Sequence, residues 1–147
     1  MSEYQWIRSH VERLLQEEWG ICRTEEDDDG DYPFRAGTAA GWVSVVIDDP
    51  IMVRVFAHAA TGVKPSLGVL RELNEIEAQS FSVSICLSGG TVTVFQTVNP
   101  IGLTQEVLAQ AIAAVNDTAN DVAGLLATVF GGTTPYPAQV EAEEEAA

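Results

Sequence analysis

The sequence predicts a two-layer α+β fold: an antiparallel sheet with helices packed on one of its faces. Three observations carry that prediction. Short stretches alternate apolar and polar residues with the period of two that half-buried strands require. Turn signals join these stretches at hairpin distance, which makes neighbouring strands antiparallel. Three further segments repeat their apolar residues at helical spacing instead. The resulting order is α-β-β-β-α-β-β-α over 147 residues, a length that suits one domain with a core of its own.

The first helix opens at Ser2, whose pairing with Gln5 three residues on is a capping-box pattern. Ile7, Val11, Leu14 and Leu15 form its apolar stripe, and Trp19-Gly20 ends it. A short strand is expected at Ile21–Thr24, entering the acidic loop EEDDDGDYP with its turn signal Asp29-Gly30. Two longer strands follow, about Gly41–Asp48 and Met52–Ala60, joined by the corner Asp48-Asp49-Pro50. The second helix carries Pro65 near its first turn and Leu67, Leu70, Leu73 and Ile76 as its stripe. Strands at about Phe81–Leu87 and Thr91–Val98 meet through Gly89-Gly90. A long last helix is capped by Thr104, runs to Phe130 and is stopped by Gly131-Gly132. Its stripe is Leu108, Ile112, Val115, Ala119, Val122, Leu126 and Val129. The folded domain spans 1–135, and 136–147 is an acidic Ala/Glu-rich tail whose composition predicts disorder.

Composition then excludes several functions. Apolar content of 46% and a mean hydropathy of +0.09 are ordinary for a globular chain. A net charge of −15 is not, but ten of the 22 acids lie in the 25–31 loop and the 141–145 tail. The other 12 acids against 7 Lys+Arg leave only −5 for the folded body. No cluster of Lys and Arg is available to displace counterions, so neither nucleic acid nor an anionic membrane is a fitting partner. No apolar run approaches a membrane span, and the N-terminus lacks the order of a signal peptide. Cys22 and Cys86 make no metal or redox spacing and read as small buried hydrophobes in predicted strands. A cytoplasmic, reducing location is expected, with no cofactor.

Motifs for chemistry fail one by one. Gly30 set at the glycine of an EF-hand loop puts Ala36 where the bidentate Glu belongs, with Pro33 inside the loop. Asp48 and Asp49 are adjacent in a strand end, so their carboxylates diverge. His58 has neither a nucleophile close in sequence nor a second His for a metal. The Gly-Gly pairs lack the lysine of a phosphate loop.

What remains is the outward side of the strands. Val43, Val45 and Ile47 alternate with Trp42, Ser44 and Val46, and Val53, Val55 and Ala57 with Arg54, Phe56 and His58. Phe81, Val83, Ile85 and Leu87 oppose Ser82, Ser84, Cys86 and Ser88, while Val92 and Val94 oppose Thr91, Thr93, Phe95 and Thr97. A mostly Ser/Thr face studded with Trp42, Phe56 and Phe95, beside Arg54 and His58, points to contact with another polypeptide. The same aromatics fit a client site or a homodimer interface, coverage by a helix or tail, or no role at all. The alanines of the last helix fit close approach of a partner and packing on its own sheet equally well.

Four segments, WGICRTEEDDDGDYPF, the strand pair around DDP, the helix with LNEIEAQ and the helix ending in TVFGGTTPYP, resemble a known family. It is the type III secretion chaperone-like and YbjN superfamily, in particular its actinobacterial peptide-binding-chaperone-like members. The resemblance covers about residues 5–137 and implies this same element order, usually as a homodimer that holds extended segments of other proteins without turnover. One departure is Glu77, where many relatives carry a second Asn three residues after the Asn that is Asn74 here. The expected function is a non-catalytic, chaperone-like module for a protein or peptide client, with Trp42, Arg54, Phe56, His58 and Phe95 as contact residues. A regulatory or scaffolding protein that binds one folded partner is the alternative.

Overall fold

A computed structural model of the chain describes residues 2–137. Its elements are α1 (Glu3–Trp19), β1 (Tyr32–Ala36), β2 (Ala39–Val46), β3 (Met52–Ala60), α2 (Leu67–Gln79), β4 (Ser84–Ser88), β5 (Thr91–Val98) and α3 (Gln105–Val129). The five strands form one antiparallel sheet in the order β1-β2-β3-β5-β4. The α+β class and the order α-β-β-β-α-β-β-α are therefore those the sequence predicts.

α1 begins as its capping box dictates: the Ser2 hydroxyl accepts the Gln5 amide at 3.2 Å and the Gln5 side chain accepts the Ser2 amide at 3.1 Å. Ile7, Val11, Leu14 and Leu15 are buried. Gly20, at φ +88°, turns the chain out of the helix. The strand expected at Ile21–Thr24 is instead a single 3-10 turn over Ile21–Arg23, with the Thr24 hydroxyl donating back to the Gly20 carbonyl at 2.9 Å. The first strand lies later, at Tyr32–Ala36. Pro33 disguised it, yet Pro is tolerated in an edge strand, where a missing N–H breaks no ladder bond. The acidic loop before it is tied down locally. The Asp27 carboxylate accepts the amides of Asp29 and Asp31, and Arg8 pairs with Glu26 and donates to the Gly30 carbonyl. Among the described residues no group of acids, His and Cys is arranged to hold a metal.

Four further expectations are corrected. α2 is capped by Ser66 and buries Val69 and Leu73, while Leu67 and Leu70 of the expected stripe are exposed. Phe81 is fully exposed because residues 80–83 serve as the exit from α2: the Ser80 hydroxyl accepts the Val83 amide, and β4 starts only at Ser84. Ile47 and Val129, at element ends, are exposed as well. Cys22 and Cys86, expected to be buried, are both exposed. Cys22 sits on the 3-10 turn, and Cys86 points outward from β4.

The core lies between one sheet face and the helices. α3, about 37 Å long by its 25 residues, crosses β1, β2, β3 and β5, and α1 packs on α3 and β2. Val43, Val45, Val53, Val55, Val92 and Val94 face Leu108, Val115, Val122 and Leu126. Ala111, Ala119 and Ala123 are buried there too, so part of the alanine stripe serves the chain's own sheet. α2 stands against β4 beside this layer, over the inward side chains Ile85 and Leu87. After α3 the chain returns to the sheet. Thr133 and Thr61 exchange backbone hydrogen bonds of 2.8 and 2.9 Å, and the Tyr136 amide donates to the Thr38 carbonyl at 3.0 Å. Arg35 lies over the Tyr136 ring and donates to the Pro137 carbonyl, so these two residues of the expected tail are held. The rest of that tail, 138–147, lies outside the described residues.

Candidate binding site on the open sheet face

Register brings the outward aromatics into line. Pro33 stands opposite Trp42, Trp42 opposite Phe56, Phe56 opposite Phe95 and Phe95 opposite Ser84. One transverse row thus crosses all five strands with three large rings at its centre. The next row runs Arg35, Ala40, His58, Thr93 and Cys86. Directly opposed side chains on one face stand about 5 Å apart, close enough for rings to pack on one another. Trp42 and Phe56 stack with centroids 5.3 Å apart, and His58 leans on Trp42 at 4.8 Å and Phe56 at 6.0 Å. Arg54 holds its guanidinium 5.3 Å from the Phe95 centroid, a cation over an aromatic face.

All five residues singled out in the sequence, Trp42, Arg54, Phe56, His58 and Phe95, therefore share one face. The rings support each other, which leaves Trp42, Phe56, His58 and Phe95 half-buried and Arg54 exposed. The helices cover the other side of the sheet. A shallow cavity of about 320 Å³ is lined by Arg54, Phe56, His58, Cys86, Thr93 and Phe95. Cys86 and Thr93 joined this set unannounced. Their parity was legible from the strand alternation, but it is the β3–β5 register that sets the β4–β5 pair Cys86 and Thr93 in His58's row.

Burial lowers the His58 pKa below its ordinary value, so the imidazole is neutral at pH 7. His58 therefore offers a ring and one N–H, and the positive charge on this part of the face belongs to Arg54. A larger depression, about 440 Å³, lies between α2 and β4 and is lined by Leu70, Arg71, Leu73, Asn74, Glu77, Ile85 and Leu87. Size does not decide between them. The α2 depression has no aromatic ring and flanks a strand edge where Glu77 already takes the Ile85 amide, whereas the open face sets Arg54 beside rings.

A profile of the family described as "T3SS (YopN, CesT) and YbjN peptide-binding chaperone 1", TY-Chap1, matches residues 5–138. The chain belongs to this family. Solved structures agree in fold. The ExsC–ExsE complex matches with a TM-score of 0.64 at 19% identity, over 81% of this chain and 95% of that one. The Yersinia pestis type III secretion chaperone SycH, in complex with a stable fragment of YscM2, matches with a TM-score of 0.59 at 15% identity, over 78% of this chain and 98% of the other. No curated protein matches the chain. Membership in TY-Chap1 assigns a chaperone-like binding role, and the two structures carry the α+β fold. Among the described residues no helix is long and apolar enough to cross a membrane.

Proposed function

We propose that this TY-Chap1 member is a non-catalytic module that holds an extended segment of a client protein on the open face of its sheet. One observation carries the reading: the row Trp42, Phe56 and Phe95, three rings side by side on a face that the helices leave uncovered. Apolar rings in a polar surround are what a binding surface uses as anchors. The edges of the sheet are less fit for strand addition. At the β4 edge the Ile85 amide is bound by Glu77 and the Val83 amide, just before the strand, by Ser80; at the other edge Pro33 has no N–H. The reading includes a cytoplasmic homodimer whose folded unit takes in 1–135 and the held Tyr136 and Pro137, followed by an acidic tail.

The test is capture of partners by the full chain, followed by proteolysis and mass spectrometry of whatever stays protected. Short unfolded or terminal segments, lost when Phe56→Asp is used as bait, support the reading. Protection of whole folded partners, or capture that Phe56→Asp leaves intact, refutes it. The dimer is tested separately by the mass of the purified chain in solution.

A further inference from the structure

The chemistry of the open face narrows what it takes, and this inference rests on the binding role proposed for that face. The chain has 22 acids, yet no outward position of the five strands is Asp or Glu. The acids stand on the helices, in the 25–31 loop, in the β2–β3 turn and in 141–145. Two of only 7 Lys+Arg, Arg35 and Arg54, rise from this face. Arg35 is engaged: it donates to the carbonyls of Gly37 and Pro137 and lies over Tyr136. Arg54 has no carboxylate partner among the described residues, where the ion pair is Arg8–Glu26. An exposed guanidinium beside Phe95, at the rim of an apolar cavity, keeps its hydrogen-bond donors free for a carboxylate.

Spacing makes the expectation specific. Arg54 and Phe56 are alternate residues of β3, so they stand about 6.7 Å apart along the strand. An extended segment laid along β3 has the same repeat. Its residues i and i+2 therefore reach Arg54 and the Phe56–Phe95 cavity together. We propose that the open face selects a client segment with a carboxylate two residues from a large apolar side chain, the carboxylate on Arg54 and the apolar group in the cavity. The negative charge of the whole chain does not forbid this. Its acids stand on other elements and are screened over roughly 8 Å at physiological salt, while a contact at Arg54 is direct.

Short labelled peptides test it by anisotropy and by amide shifts of the protein: a Ser/Gly frame carrying Leu-x-Asp, with Leu-x-Asn, Leu-x-Lys and Leu-x-x-Asp as comparisons. The Leu-x-Asp peptide is expected to bind about tenfold tighter than its Asn counterpart, the scale of a partly exposed charge-assisted pair. That advantage is expected to vanish in Arg54→Gln and to shrink with added salt. The chain's own Glu141, Glu143, Glu144 and Glu145 carry similar chemistry, so a full chain with all four changed to Gln is titrated in parallel. Acid-selective binding in either chain supports the inference. If the Asn and Lys peptides bind as tightly while Phe56 and Arg54 amides still shift, the selectivity is wrong and the binding role stands. If no peptide shifts either chain, the inference falls together with the role beneath it.

Discussion

The Glu77 carboxylate accepts the backbone amide of Ile85 at 3.3 Å. Ile85 is in β4, the last strand of the sheet, so this amide points away from β5 toward the free edge. An unpaired amide there is a template for another strand, and native proteins cover such edges. Here a helix side chain does it, at the position where the family resemblance marks a departure. Glu77→Ala is expected to remove about 1 kcal/mol of local protection, which means roughly fivefold faster hydrogen exchange at Ile85. Binding at the open face is expected to be unchanged. Unaltered exchange at Ile85 refutes the role of Glu77 as an edge cover.

Phe56 sits at the centre of the aromatic row, stacked on Trp42 and opposite Phe95. Because it is half-buried on a face without helices, removing its ring leaves the core intact. Phe56→Ala is expected to cost about 1–2 kcal/mol, the stacking and partial burial of one ring, with unchanged circular dichroism. Client capture is expected to drop at least tenfold. A mutant that unfolds places Phe56 in the core and removes it from the surface.

His58 gives the face a pH dependence with a definite sign. Its pKa is lowered by burial, so the unfolded chain takes up the proton before the folded one does. From neutral pH upward His58 contributes nothing to the slope. As pH falls below about 6.5, the ordinary histidine value, stability is lost until the folded-state pKa is passed. Denaturant midpoints measured between pH 7.5 and 5 are expected to fall, and His58→Gln to flatten that fall. Imidazole NMR is expected to show His58 titrating below the ordinary value. A titration at or above it refutes the desolvation argument.

Much of the fold was legible because its signals were local. The capping box at Ser2 and Gln5, the strand Met52–Ala60, the strand Thr91–Val98 and the Thr104 cap all stand where periodicity and capping chemistry put them. The misses share a cause: long-range packing overrode a local pattern. Ile21–Thr24 has strand-like residues but no neighbouring strand to pair with, and Tyr32–Ala36 pairs with β2 despite Pro33. Leu67 and Leu70 fit a helical stripe, but α2 meets the sheet at its edge and only Val69 and Leu73 are buried. For the open face, alternation gave the side on which each residue lies. Register between strands β3 and β5, separated by α2 and β4 in the chain, is what aligned Phe56 with Phe95 and His58 with Thr93, and no short-range signal encodes it.

The β1–β2 turn offers a test that separates two costs at one position. Gly37 has φ +62°, a conformation in which a side chain is strained, and a Cβ added there would lie 2.2 Å from Asn120 Oδ1 on α3. Gly37→Ala therefore meets a backbone cost of about 1–2 kcal/mol and a steric clash. The turn also presents the carbonyl that Arg35 holds at 2.7 Å, so its distortion reaches the rim of the open face. Asn120→Ala removes the clash but leaves φ unchanged. In that background Gly37→Ala is expected to cost only the backbone part, and the difference between the two backgrounds measures the contact. Urea denaturation of the four chains gives this cycle. Equal costs in both backgrounds refute the close approach of α3 to the turn and leave the glycine's conformation as the whole effect.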